Sequence, residues 1–122
     1  MITIVDETII LRYLLNDEKR QSAEAARIIG QGDAYTYPEI IARVVVVLRD
    51  VYHVPRSLIG RSISLLLDDI AVAEEETVRL AARAFGTTLF DFTDCMIVAR
   101  NMLHGYRVRS FDKPMMKKVV DE

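Results

Sequence analysis

The sequence has very little of the chemistry that holds small proteins together covalently or through metals. Only one of its 122 residues is cysteine and only two are histidine, which excludes an intrachain disulfide framework and a zinc site built on these residues. Tryptophan is absent, and three prolines and five glycines leave no low-complexity stretch. No apolar run approaches the roughly 18 residues of a membrane helix, and no signal peptide is evident, so we expect a cytoplasmic protein with no membrane segment.

A strong excess of charge of one sign is also missing. Sixteen basic and 18 acidic residues leave a net charge of −2, so a general electrostatic attraction to nucleic acid is not predicted, and any such contact must be local. A chain of this length is expected to form one domain, residues 1–122, that buries roughly two-thirds of its unfolded surface. Apolar residues make up 51% of the sequence, so we expect part of the apolar surface to face a partner.

Short β-rich segments alternate with helical segments along the chain. This alternation favours an α/β fold with a short-stranded parallel sheet and helices on both of its faces. Ligands of such sheets bind beyond the carboxyl ends of the strands, which directs attention to the residues that follow each strand. The strands are predicted at 1–5, 34–36, 70–72 and 107–110.

Acidic residues follow several of these strands. Asp6 follows the first strand, Glu39 the second and Asp112 the last, while Asp94 lies in the first turn of a predicted helix. Carboxylates that meet at one edge of a sheet repel one another unless a cation lies between them. Oxygen-only ligands select Mg²⁺ or Mn²⁺, and such an ion can activate water against a phosphodiester. Each acid also has a simpler interpretation, with Asp6 and Asp91 as helix N-caps, Asp94 as a charge that favours a helix start, and Asp112 as a turn residue.

Four segments carry a family resemblance, and they are VDETIILRYLLND at 5–17, VLRDVYHVPR at 47–56, FDFTDCM at 90–96 and GYRVRSFDK at 105–113. In this order and spacing they resemble PIN-domain proteins, particularly the VapC-type toxins. The resemblance implies a PIN-like (FEN-like) three-layer α/β/α fold, dependence on Mg²⁺ or Mn²⁺, and endoribonuclease activity on RNA. It also implies a homodimer that a cognate antitoxin silences.

The resemblance assigns roles to individual residues. Asp6, Asp94 and Asp112 match the acids that hold the metal and carry catalysis, and Ser110 matches the hydroxyl that supports the last acid. Thr8 stands where the family usually has asparagine, and it keeps a group that can form hydrogen bonds. Asp91 is a further supporting acid of the same motif. We expect contacts to RNA phosphates from three arginines, which are Arg12, Arg56 and Arg109.

One position departs sharply from the family, because its helix glutamate falls on Arg43. If Arg43 points into the acidic pocket, it pairs with Asp6 or Asp94 and weakens metal binding and catalysis. If Arg43 is instead a surface residue, Glu39 lies one turn earlier on the same helix face and supplies the missing acid. The two expected function classes are a weakened endoribonuclease and a catalytically silent PIN-like protein that binds an antitoxin or RNA.

Overall fold

A three-stranded parallel sheet lies within a largely helical chain in the computed structural model, which describes residues 1–120. The strands are β1 (Thr3–Ile4), β2 (Ala34–Thr36) and β3 (Ala71–Val72), and their order in the sheet follows the sequence. Thr3 pairs with Ala34 and Tyr35 with Ala71. The predicted α/β class with short parallel strands is therefore confirmed.

Seven helices connect and flank these strands in the described part of the chain. Local signals explain several of their ends: Asp6 is the N-cap of the first helix, Pro38 begins the third, and Gly105 ends the sixth in a left-handed conformation. The helices are α1 (Glu7–Leu15), α2 (Lys19–Gly30), α3 (Pro38–Asp50), α4 (Arg56–Leu66), α5 (Glu75–Thr87), α6 (Phe92–His104) and α7 (Lys113–Met116).

The second helix begins before Ser22, although serine is a residue type that often caps helices. Glu18 is the N-cap of α2, and its carboxylate accepts hydrogen bonds from the amides of Arg20 and Gln21. Ser22 is buried instead, and its hydroxyl donates to the carbonyl oxygen of Arg12 at 2.9 Å. The buried hydroxyl therefore ties α2 to α1 rather than starting a helix.

The strand predicted at 107–110 does not form among the described residues. The residues before and after this segment are held instead by the buried side chain of Asn101. Its amide group donates to the carbonyl oxygens of Tyr106 and Val120, and its side-chain oxygen accepts from the amide of Val120, each at 2.8 Å. Only Val108 of the segment is partly buried. A strand needs a hydrogen-bonded neighbour, and sequence pattern alone does not supply one.

The core lies between the sheet and the helices, and helices α4 and α5 pack closely within it. Ile59 and Ile63 on α4 and Phe85 on α5 are fully buried. The two helices approach most closely at Gly60, where a Cβ atom would lie 2.6 Å from the carbonyl oxygen of Ala82. No helix among residues 1–120 is both long and apolar enough to cross a membrane.

Candidate functional site

Three aspartates line one open cleft, which we call the acidic cleft. Asp91 and Asp94 come from the start of α6, and Asp112 comes from the residue before α7. The cleft has a volume of about 590 Å³. Its other lining residues are Thr87, Thr88, Leu89, Phe90, Pro114 and Lys118. Two of the three predicted catalytic acids, Asp94 and Asp112, are thus brought together with the supporting Asp91.

The carboxyl group of Asp94 has a raised pKa. The residue is half-buried, and its carboxylate forms no hydrogen bond within the described chain. Burial raises the pKa of its carboxyl group, and the negative charges of Asp112 and Asp91 raise it further. The expectation that at least one acid of the group has a raised pKa is therefore confirmed, with burial as the largest cause and the neighbouring negative charges as the smaller ones.

The other two acids of the cleft are held by contacts with neighbouring residues, of which only the contact between Ser110 and Asp112 was expected from the sequence. Asp91 occupies the predicted N-cap position of α6, but its side chain forms no capping hydrogen bond. Its Oδ1 instead accepts from Nη1 of Arg49 at 3.2 Å. Asp112 caps α7 by accepting from the Met115 amide at 3.0 Å, and its own amide donates to the Ser110 hydroxyl oxygen at 3.0 Å.

Asp6 is exposed and serves as the N-cap of α1, so this alternative interpretation is confirmed. Its Oδ1 accepts from the amides of Thr8 and Ile9 at 3.0 and 3.3 Å, and from the Thr8 hydroxyl at 2.6 Å. The Thr8 hydroxyl bond is the main reason that the pKa of Asp6 is lowered. Thr8 therefore orients the aspartate, while Asp6 is not among the residues that line the acidic cleft.

Arg43 does not pair with Asp6 or Asp94, so that prediction is wrong. Its Nη1 lies 3.1 Å from Oε2 of Glu7, and its side chain is 70% exposed. Glu7 is 36 residues away in sequence, and no local signal links the two. Arg43 is thus close to the start of α1, where it neutralises the residue next to Asp6, and it lies outside the lining of the acidic cleft.

Glu39 does not supply a missing acid to the acidic cleft. It is exposed and lines a separate cleft of about 300 Å³ beside α3 and α6. In that cleft Arg100 binds Glu74 through two hydrogen bonds, at 2.9 and 3.0 Å. The alternative in which Glu39 replaces the family glutamate therefore finds no support in the position of this side chain.

The three arginines expected to contact RNA are engaged within the protein. Arg12 forms an ion pair with Asp17 at 3.0 Å and donates to the Tyr52 hydroxyl at 3.0 Å. The Arg56 guanidinium lies 3.8 Å from the centre of the Phe85 ring and donates to the carbonyl oxygens of Phe85 and Phe90. Arg109 donates to the carbonyl oxygen of Val108 at 2.9 Å. Arg12 and Arg56 thus have structural contacts that sequence position did not reveal.

The candidate ligand atoms are of the type that binds Mg²⁺ or Mn²⁺, but they are not placed together around one ion. All the candidate ligands are carboxylate or hydroxyl oxygens, which hard cations prefer. Across residues 1–120, however, no group of three or more Asp, Glu, His or Cys side chains is placed to hold a metal ion. The expected convergence of Asp6, Asp94 and Asp112 around one ion is therefore not present, and their metal-binding roles stay predictions.

Comparison with known proteins adds no family assignment. Neither a scan against protein-family models nor searches of curated proteins and of solved structures found a match.

Proposed function

We propose that this chain is a PIN-like protein of the VapC toxin type, a metal-dependent endoribonuclease whose activity is weakened at Arg43. The observation that carries the proposal is the state of Asp94 in the acidic cleft. This half-buried carboxylate has no hydrogen-bond partner in the described structure, and Asp112 and Asp91 add negative charge around it. A site with these properties favours the entry of a cation, which is the first requirement of the proposed chemistry.

The positions of the other acids support the same proposal. Asp6 follows β1 and is oriented by Thr8, while Asp112 is held by its cap on α7 and by Ser110. Each carboxylate keeps one oxygen, Oδ2, without a hydrogen bond to the described residues. These oxygens are available to a ligand, although bringing all three acids to one ion requires movement.

A catalytically silent PIN-like protein is the second candidate, and two observations favour it. The part of the chain that the structure describes has no ready group of three metal-binding side chains. The Arg43–Glu7 ion pair also places a positive charge beside the start of α1, next to Asp6. Such a protein would bind its antitoxin or RNA without cutting the RNA.

The remaining parts of the proposal follow from the same resemblance. They are a FEN-like three-layer arrangement around the parallel sheet, a homodimer, a cognate antitoxin and a cytoplasmic location. Exposed apolar side chains support an interface between protein surfaces, and Val46 on α3 and Leu65 on α4 are 44% and 60% exposed.

A comparison of Arg43 variants tests the proposed enzyme. Arg43→Glu restores the family residue, and Arg43→Gln removes the cation without adding a ligand. Arg27→Glu is a matched control, because Arg27 is also an exposed arginine paired with a glutamate, Glu24. Mn²⁺ affinity is measured by calorimetry, and cleavage of RNA is measured with and without Mn²⁺.

We expect Arg43→Glu to bind Mn²⁺ at least about tenfold more tightly than the unmodified chain and to cleave RNA faster. A tenfold change corresponds to about 1.4 kcal/mol, which is well below the interaction of two close charges near a protein surface. Arg43→Gln should give a smaller gain, and Arg27→Glu should give none. If all four proteins bind Mn²⁺ equally and none cleaves RNA, the enzyme proposal is wrong and the silent binding protein is favoured.

A further inference from the structure

A second cleft lies between α4 and α5, and we call it the basic cleft. It has a volume of about 300 Å³. Arg61 lines it from α4 and Arg83 from α5, and no carboxylate is among its lining residues. The rest of the lining is small or carries hydroxyl groups, and comprises Ser57, Gly60, Ser64, Ala82, Gly86 and Thr87.

Arg61 and Arg83 belong to the minority of arginines in the described part of the chain that have no side-chain partner. Both are exposed, and neither forms an ion pair or a side-chain hydrogen bond with any residue of the described range 1–120. Most other arginines are paired, including Arg49, Arg79 and Arg100. Two unpaired cations on the same cleft raise the local positive potential, and an anion that enters it lowers the repulsion between them.

The basic cleft adjoins the acidic cleft. Thr87, at the end of α5, lines both of them. The Ser57 hydroxyl on the wall of the basic cleft forms no hydrogen bond within the described structure and can donate to an anion. A chain of regularly spaced anions that occupies the basic cleft would therefore pass next to the acidic cleft.

We propose that the basic cleft binds the phosphate backbone of single-stranded RNA and positions the neighbouring phosphodiester at the acidic cleft. This inference rests on the proposed function in RNA cleavage or binding. The lining favours RNA over an acidic protein segment, because it has no pocket formed by large apolar side chains that would anchor such a segment. Arg61 and Arg83 supply contacts to phosphate that are independent of base sequence.

The test measures RNA binding without metal, so that cleavage plays no part in it. A short fluorescent single-stranded RNA is titrated with protein in EDTA over a series of salt concentrations. The test variant is Arg61→Gln with Arg83→Gln. The matched control is Lys19→Gln with Arg20→Gln, since these two exposed cations on α2 also lack side-chain partners in residues 1–120 but line neither cleft.

We expect the Arg61/Arg83 variant to bind RNA about tenfold more weakly at low salt. The slope of the logarithm of the binding constant against the logarithm of the salt concentration should be smaller in magnitude by about 1.4. Two phosphate contacts are lost, and each contact to a single strand contributes about 0.7. The Lys19/Arg20 control should change both quantities much less. Equal losses in the two variants, or no loss in the first, would overturn the basic cleft as an RNA subsite.

Two further outcomes of the experiment distinguish a failure of the RNA subsite from a failure of the proposed function. If the unmodified chain binds RNA but the Arg61/Arg83 variant binds it equally well, the subsite is wrong while the proposed function stands. If polyglutamate displaces the RNA at equal charge concentration, the cleft recognises acidic chains in general, and the RNA assignment is overturned. Circular dichroism of each variant confirms that the compared proteins are folded.

Discussion

Replacing Gly60 by alanine should destabilise the protein, although alanine is the better helix former. Gly60 lies inside α4, where that preference is worth about 1 kcal/mol in favour of alanine. The new Cβ, however, would lie 2.6 Å from the carbonyl oxygen of Ala82 and 3.2 Å from Cα of Gly86. Carbon–oxygen contacts are normally about 3.3–3.6 Å, so α4 and α5 must separate by roughly 0.7–1 Å.

The cost of this overpacking exceeds the gain in helix preference. Inserting a methyl group into a closely packed core typically costs about 1–3 kcal/mol, and backbone atoms cannot move aside as a flexible side chain can. We expect a net loss of about 1–2 kcal/mol in the free energy of unfolding. For a domain of this size, each kcal/mol lowers the Tm by about 3–6 °C. Urea and thermal unfolding of the two proteins measure the effect directly.

Gly30→Ala is the matched control, because it makes the same chemical change at a helical glycine with open space around it. No atom lies within 4 Å of the Cβ that would be added there, and Gly30 has no positive φ. This variant should be neutral or more stable by up to about 1 kcal/mol. A Gly60→Ala protein as stable as Gly30→Ala would refute the close approach of α4 and α5.

Two predictions concern the acids. Asp6→Ala should lower the free energy of unfolding by about 1 kcal/mol, while Asp6→Asn keeps most of the cap. Because the pKa of Asp6 is lowered in the folded protein, its contribution is present above its ordinary pKa and is lost as the pH falls through the folded value, which urea unfolding at several pH values measures. Asp94→Asn should stabilise the protein by about 0.5–1 kcal/mol at neutral pH, because the raised pKa of Asp94 means that its charged form is disfavoured in the fold. That gain should vanish as the pH falls below the ordinary pKa of aspartate, and a gain independent of pH would contradict the argument.

Sequence by itself determined the features that depend on neighbouring residues. The alternation of strands and helices predicted the α/β class and three of the parallel strands. Asp6 as a cap, Pro38 at a helix start and Gly105 at a helix end follow from local backbone geometry. Sequence also predicted that one acid of the group has a raised pKa, although burial, the larger cause of the raised pKa of Asp94, depends on how the elements pack.

Only the tertiary structure decided which side chains meet. Arg43 contacts Glu7 rather than Asp6, and Arg56 donates to the carbonyl oxygens of Phe85 in α5 and of Phe90 after α5 rather than facing solvent. The segment 107–110 has a strand-like sequence but no strand partner in the described structure. The Arg43–Glu7 ion pair, the Arg56 contacts and strand pairing join residues that are distant in sequence, so their geometry depends on how whole elements pack and cannot be obtained from local preferences.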